Sequence, residues 1–209
     1  MSLFVLKGVN YENIVSYSDI EISEGGATFI CGDSGSGKST LLKLLNGILT
    51  PSAGMITYLG EDIGRYDSIV LRRAVLLVSQ AAYLFDDRSI RDNFKAYYDY
   101  REMTCIGDEE MAQFLAVCSF DLSLDTMSYN LSGGEKQRVF IAICLSFGSK
   151  VLMLDEPTSA LDARNANALM ENIKLFCAQK GQTLLVVSHD KKIVDKFADK
   201  TVHLGGDGE

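Results

Sequence analysis

The sequence predicts an α/β fold: a mostly parallel core sheet, an N-terminal antiparallel β subdomain and an inserted helical subdomain. Three observations lead there. Short unbroken apolar runs at 27–31, 75–78, 151–154 and 183–187 suit strands buried on both faces, as in a parallel sheet covered by helices. The first strand candidates, 3–9 and 19–22, instead alternate apolar and polar residues, as at a half-exposed antiparallel edge. From Gln80 to about Asn130 the chain turns rich in Tyr, Asp and Glu, with helically spaced apolar positions at Phe94, Tyr97 and Tyr98 and at Met111, Phe114 and Leu115.

Taken in order, the strands 3–9 and 19–22 lead to a turn at Glu24, Gly25 and Gly26, then to the strand 27–31. A helix follows and is broken at Thr50, Pro51 and Gly54. A strand at 55–59, a turn at 60–64 and the strand 75–78 lead into the helical segment, placed at about 81–130 within one domain spanning 1–209. The core resumes with a helix at 135–146, the strand 151–154, a long helix at 163–180, the strand 183–187, a helix at 191–197 and a last strand at 201–204. The glycine-rich tail 205–209 reads as a frayed end.

The turn after the 27–31 strand carries Gly32, Asp33, Ser34, Gly35, Ser36, Gly37, Lys38, Ser39 and Thr40. It fits G-x-x-x-x-G-K-[ST] in the strand-to-helix context that the pattern requires. Glycines let the backbone curl so that successive N–H groups face phosphate oxygens, and the helix start adds the positive end of its dipole. Lys38 supplies a mobile positive charge for the β- and γ-phosphates. The Ser39 hydroxyl can ligate Mg²⁺, and Thr40 can bond the α-phosphate. The core is thus that of a P-loop nucleoside triphosphatase, and the loop alone fits a kinase, a GTPase or a motor.

Other strand ends carry matching chemistry. The 151–154 strand runs into Asp155, placed to hold Mg²⁺ directly or through water, and Glu156, placed to polarise an attacking water. His189 follows the 183–187 strand, where a neutral imidazole can reach a γ-phosphate. Gln80 ends the 75–78 strand, and its amide can bind Mg²⁺ or the attacking water. Ser132 can cap the helix after it, and Gly133 and Gly134 bare the backbone there, which makes a second anion site.

As a set, these residues resemble the ATP-binding cassette (ABC) family. Residues 32–40 match its Walker A loop, Gln80 its Q-loop and residues 131–135 (Leu-Ser-Gly-Gly-Glu) its signature. Residues 151–156 match Walker B, 159–162 the D-loop and His189 the switch histidine. The resemblance covers almost the whole chain in the right order. It implies an ATPase that uses ATP and Mg²⁺ and pairs head to tail with a second copy, the Walker A of one facing the signature of the other. By that likeness Ser132 and Gly134 meet the γ-phosphate of the partner's ATP, Gly133 lies between them, and Asp162 helps connect the two sites. Adenine would stack on Tyr11, with Tyr17 as the alternative. The segment 80–94 resembles the region where such ATPases seat separate transmembrane permease subunits. A finer likeness, including Ser188, His189, Asp190 and Lys191, is to small bacterial ATPases assigned to iron or metal export.

Composition sets bounds on the rest. A net charge of −8 and a pI near 4.8, with no basic stripe, argue against nucleic acid as a partner. The longest apolar run, 139–145, is far short of the roughly 20 residues that span a bilayer. The N-terminus lacks the basic start of a secretion signal. Five cysteines without a C-x-x-C pair suggest reduced, mostly buried thiols; Cys31 abuts the phosphate loop. The expectation is a stand-alone cytoplasmic subunit, peripheral on the membrane through its permease. The rivals are a soluble ATPase of a non-transport assembly, of the iron–sulfur or cell-division type, and a nucleotide-binding regulator without turnover. Glu156 and His189 argue against the latter.

Overall fold

Packing of the apolar runs sorts the chain into two compact units in the computed structural model, which describes residues 1–12 and 14–205. The first comprises Met1–Leu77, Ser149–Glu156 and the chain from Cys177 on; the second comprises Val78–Gly148 and Pro157–Phe176. Of the tail expected to fray, residues 206–209 lie outside the described residues.

The first unit holds two sheets. One is antiparallel: β1 (Ser2–Tyr11) pairs with β2 (Val15–Ser16), β3 (Ile20–Ser23) and β4, the strand Ala53–Tyr58, which in turn pairs with a short strand, Glu61–Asp62. The other carries the buried runs. Its strands are, in spatial order, β8 (Lys200–Leu204), β5 (Ala27–Gly32), β7 (Thr183–Val187), β6 (Val151–Asp155) and the strand Val75–Val78. The pairings β8·β5, β5·β7 and β6·β7 are all parallel. Every residue of β6 and β7 is buried, which is why neither shows alternation.

Helix α1 (Lys38–Leu45) buries Leu41, Leu42, Leu44 and Leu45. They lie in one apolar cluster with Leu6, Ile22 and Ile56 of the antiparallel sheet and Val151, Met153 and Leu185 of the parallel one. Each such leucine contributes about 1.5–3 kcal/mol by leaving water. The phosphate-loop helix is thereby clamped between the two sheets.

Helix α2 (Ser68–Ala74) escapes the sequence reading because its apolar Ile69 and Val70 are exposed and mark no buried face. Asp67 starts it, its Oδ1 accepting from the N–H groups of Ile69 and Val70 at 2.9 and 3.0 Å.

In the second unit, α3 (Ile90–Tyr100), α4 (Asp108–Val117), α5 (Gly133–Ser146) and the first part of α6 (Ala163–Lys180) supply the helices. Helix α5 is apolar all round from Val139 on, and residues 139–145 are buried throughout, so the longest apolar run lies in a core helix. Asn93 on α3 is fully buried and fully bonded. The two hydrogens of its Nδ2 are shared among Ser128 Oγ at 2.9 Å, Ser89 O at 3.0 Å and Phe85 O at 3.1 Å, and its Oδ1 accepts from Phe85 N–H at 2.8 Å. One side chain thus ties the loop after Gln80 to α3 and to the 3₁₀ turn Ser128–Asn130.

Candidate nucleotide site

Helix α1 begins without a side-chain cap. Its N-cap residue is Gly37, in the left-handed region at φ 89°. The first N–H groups of the helix are therefore left to a ligand, and a phosphate suits them. Gly32 meets a tighter demand: a Cβ there would lie 2.3 Å from the Leu204 carbonyl oxygen, so the loop runs flush against the end of β8. Lys38 folds back over the loop, donating to Gly32 O at 2.9 Å and Asp33 O at 2.7 Å. Asp33, Ser34, Gly35 and Ser39 are exposed, while Ser36, Gly37 and Thr40 are half-buried.

Tyr17 holds this loop from beneath. Its hydroxyl donates to Gly37 O at 2.8 Å, and burial pushes its pKa up to about 12. At 4% exposure it offers no free ring face, which removes it as the alternative adenine platform. Its role as a prop has no sequence signal, since it depends on the β2 segment returning beneath the loop. Tyr11 is half-buried at the end of β1.

The ends of β6 and β7 complete this unit's site. Glu156 follows β6 with φ 52°, a left-handed conformation that non-glycine residues seldom adopt. Its N–H is held by Val187 O at 3.0 Å. Its Oε2 lies 2.8 Å from His189 Nδ1, which leaves Nε2 of the imidazole for a ligand. The carboxylate is mostly buried and the imidazole mostly exposed, at 14% and 71% side-chain exposure. Next to Glu156, Asp155 Oδ1 is buried without a hydrogen-bond partner. An orphaned carboxylate oxygen at a strand end fits a cation ligand better than a structural role.

The remaining predicted residues belong to the second unit. Ser132 caps α5 in a reciprocal box. Its Oγ accepts from Glu135 N–H at 3.4 Å, and the Glu135 carboxylate accepts from Ser132 N–H at 2.8 Å and from the Ser132 hydroxyl at 2.6 Å. Those hydrogen bonds from Ser132 hold the Glu135 carboxyl below its usual range. No other atom lies near the missing Cβ of Gly133, while that of Gly134 faces Ala160 and Leu161. Asp162 works as a helix cap: Oδ1 accepts from Asn165 N–H at 2.9 Å and Oδ2 from Asn165 Nδ2 at 2.7 Å, which lowers its pKa. Gln80 Nε2 reaches Ser159 Oγ at the long distance of 3.5 Å. The phosphate loop, Asp155, Glu156 and His189 thus belong to the first unit, and Gln80, Ser132, Gly133, Gly134 and Asp162 to the second.

Residues 15–159 match the ABC transporter family. The chain belongs to that family. It is 37% identical over 206 residues to ABC transporter I family member 17 of Arabidopsis thaliana, covering 98% of this chain and 74% of the relative. It is 32% identical over 217 residues to the L-cystine import ATP-binding protein TcyC of Bacillus subtilis, covering 98% and 87%. Among solved structures, CbiO1 from Clostridium perfringens, part of the transporter complex CbiONQ, superposes with a TM-score of 0.83 at 28% identity, covering 97% of this chain and 84% of that one. A dimeric post-hydrolysis state of the cassette MJ0796 with ADP and Pi shares the fold, with a TM-score of 0.81 at 23% identity, covering 97% and 94%. The chain is thus an ABC ATPase, the ATP-binding subunit of a transport system. Among the described residues no helix is long and apolar enough to cross a membrane.

Proposed function

We propose that two copies of this chain close on ATP and Mg²⁺, hydrolyse the ATP and so drive separate permease subunits, from a position on the cytoplasmic face of the membrane. One observation carries the reading. The phosphate loop after β5, Glu156 after β6 and His189 after β7 sit at the same ends of three neighbouring parallel strands, with Glu156 and His189 paired at 2.8 Å. In this reading Lys38 and the N–H groups of residues 33–40 hold the phosphates, and Tyr11 stacks on adenine. Ser39, Asp155 and Gln80 would hold Mg²⁺, which would supply charge neutralisation to the phosphates. Glu156 takes a proton from the attacking water, and His189 holds the carboxylate in place through Nδ1. Ser132, Gly133, Gly134 and Asp162 serve the partner's nucleotide. The two units act as one ABC ATPase domain, with the helical segment at about 81–130 set into it.

Glu156→Gln tests this. ATP binding should survive, hydrolysis should fall by about a hundredfold or more, and an ATP-bound dimer should accumulate in native mass spectrometry. Turnover at the wild-type rate would remove Glu156 as the base. Cargo has two forms within the proposal. The sequence likeness points to export of iron or another metal, and the named role of one relative is L-cystine import. Co-purification from the native membrane, followed by transport in vesicles, distinguishes them. Purification with soluble assembly factors instead would favour the non-transport reading.

A further inference from the structure

Gly133 and Gly134 look equivalent in sequence but meet different surroundings. A Cβ on Gly133 would touch nothing within 4 Å. A Cβ on Gly134 would lie 2.9 Å from the Ala160 carbonyl oxygen and 2.9 Å from Leu161 Cδ2. Gly134 is buried in the first turn of α5, and its conformation lies outside the left-handed region, so backbone freedom does not explain it. What requires glycine there is the close approach of the segment 158–162. That segment is itself a tight turn, with Leu161 N–H donating to Thr158 O at 3.1 Å, and it ends in the Asp162 cap of α6. Leu161 can give way by rotating its side chain, but the Ala160 oxygen is backbone and moves only with the turn.

We propose that Gly134 is a positioning residue: its bare Cα is the seat of the Ala160 carbonyl and the Leu161 side chain, so that the start of α5 and the turn leading to Asp162 are fixed to each other within one chain. The two glycines divide their work. Gly133 is bare on its open side, and Gly134 is bare on the side that this turn fills. The steric statement stands on geometry alone. Its consequence for turnover rests on the ATPase reading above, so the two are measured separately.

The test compares Gly134→Ala with Gly133→Ala in the full chain without nucleotide, by hydrogen–deuterium exchange of the peptide spanning 158–162. Gly134→Ala should raise exchange there by about tenfold or more, as expected when a local contact is lost, and Gly133→Ala should leave it unchanged. Adding Leu161→Ala to Gly134→Ala frees one of the two contacts and should restore part of the protection. In ATPase assays Gly134→Ala should lower kcat by about tenfold with KM for ATP little changed, since a displacement of a few tenths of an ångström misplaces a group without removing it. Unchanged exchange in Gly134→Ala, or equal exchange in both glycine variants, overturns the proposal. A chain with no ATPase activity at all, but with the exchange pattern as stated, would overturn the function and leave the seat standing. Should Gly134→Ala fail to fold, Gly134→Ser with Leu161→Ala makes the same comparison, and the absence of any rescue by Leu161→Ala then counts against it.

Discussion

Glu156 sits at φ 52°, and that angle allows a measurement that separates strain from chemistry. A non-glycine residue in the left-handed region costs about 1–2 kcal/mol, which glycine does not incur. Glycine has more freedom in the unfolded chain than alanine, which offsets about 0.4–1 kcal/mol of that. Glu156→Ala and Glu156→Gly both remove the carboxylate, the contact with His189 and the catalytic role, so they differ only in the backbone term. The glycine variant should therefore be the more stable by about 0.5–1 kcal/mol, or about 2–3 °C in melting temperature for a chain of this size. Urea unfolding with equal slopes gives the difference directly. Both variants should be inactive. A glycine variant equal to or less stable than the alanine variant would mean that the backbone after β6 is not held left-handed in solution, and that the strain argument fails. If it holds, the site keeps a backbone conformation that its side chain disfavours, because the Val187 carbonyl and His189 fix it there.

Asn93→Ala should cost about 3 kcal/mol, since it leaves the Phe85 N–H and the Ser128 hydroxyl without their partner, while the Ser89 carbonyl keeps the backbone N–H of residue 93; denaturant unfolding measures it, and proteolysis between residues 81 and 89 should speed up. Tyr17→Phe should lower stability by about 1 kcal/mol and weaken ATP binding, measured by calorimetry, because Gly37 O keeps only the Leu41 N–H at 2.8 Å. Stability should also fall in acid. The carboxyls of Asp92, Glu135 and Asp162 are held below their ordinary values, chiefly by hydrogen bonds from Ser89, Ser132 and Asn165 respectively. Each therefore adds stability that is complete above the ordinary carboxylate range and is lost as pH falls through its depressed folded value. Melting temperature followed from pH 7 down should drop through that window, and Glu135→Gln should flatten part of the drop.

The phosphate loop, the carboxylate pair and the buried strands were legible because their signals are local. A strand covered on both faces has to be apolar throughout, and a phosphate cradle has to have its glycines and lysine at fixed spacing. Helix α2 and the short strand Val15–Ser16 were not legible. Both are too short to show a period, and Ile69 and Val70 of α2 face outward, leaving Leu71 as its one buried residue. The cap from Asp162 to Asn165 lies within four residues of chain, so its Asp-x-x-Asn spacing is a local signal as well.

By itself, then, the sequence determined the α/β class, the P-loop chemistry and the family, because each rests on residue types at short, fixed separations. Only the tertiary structure decided between residues of the same type. Tyr17 became a prop and lost its place as an adenine platform because it is buried under Gly37. Gly134 parted from Gly133 because residues 160 and 161 come to rest on one and not the other. Those choices depend on contacts between segments far apart in the chain, and no local pattern encodes which distant surface will arrive.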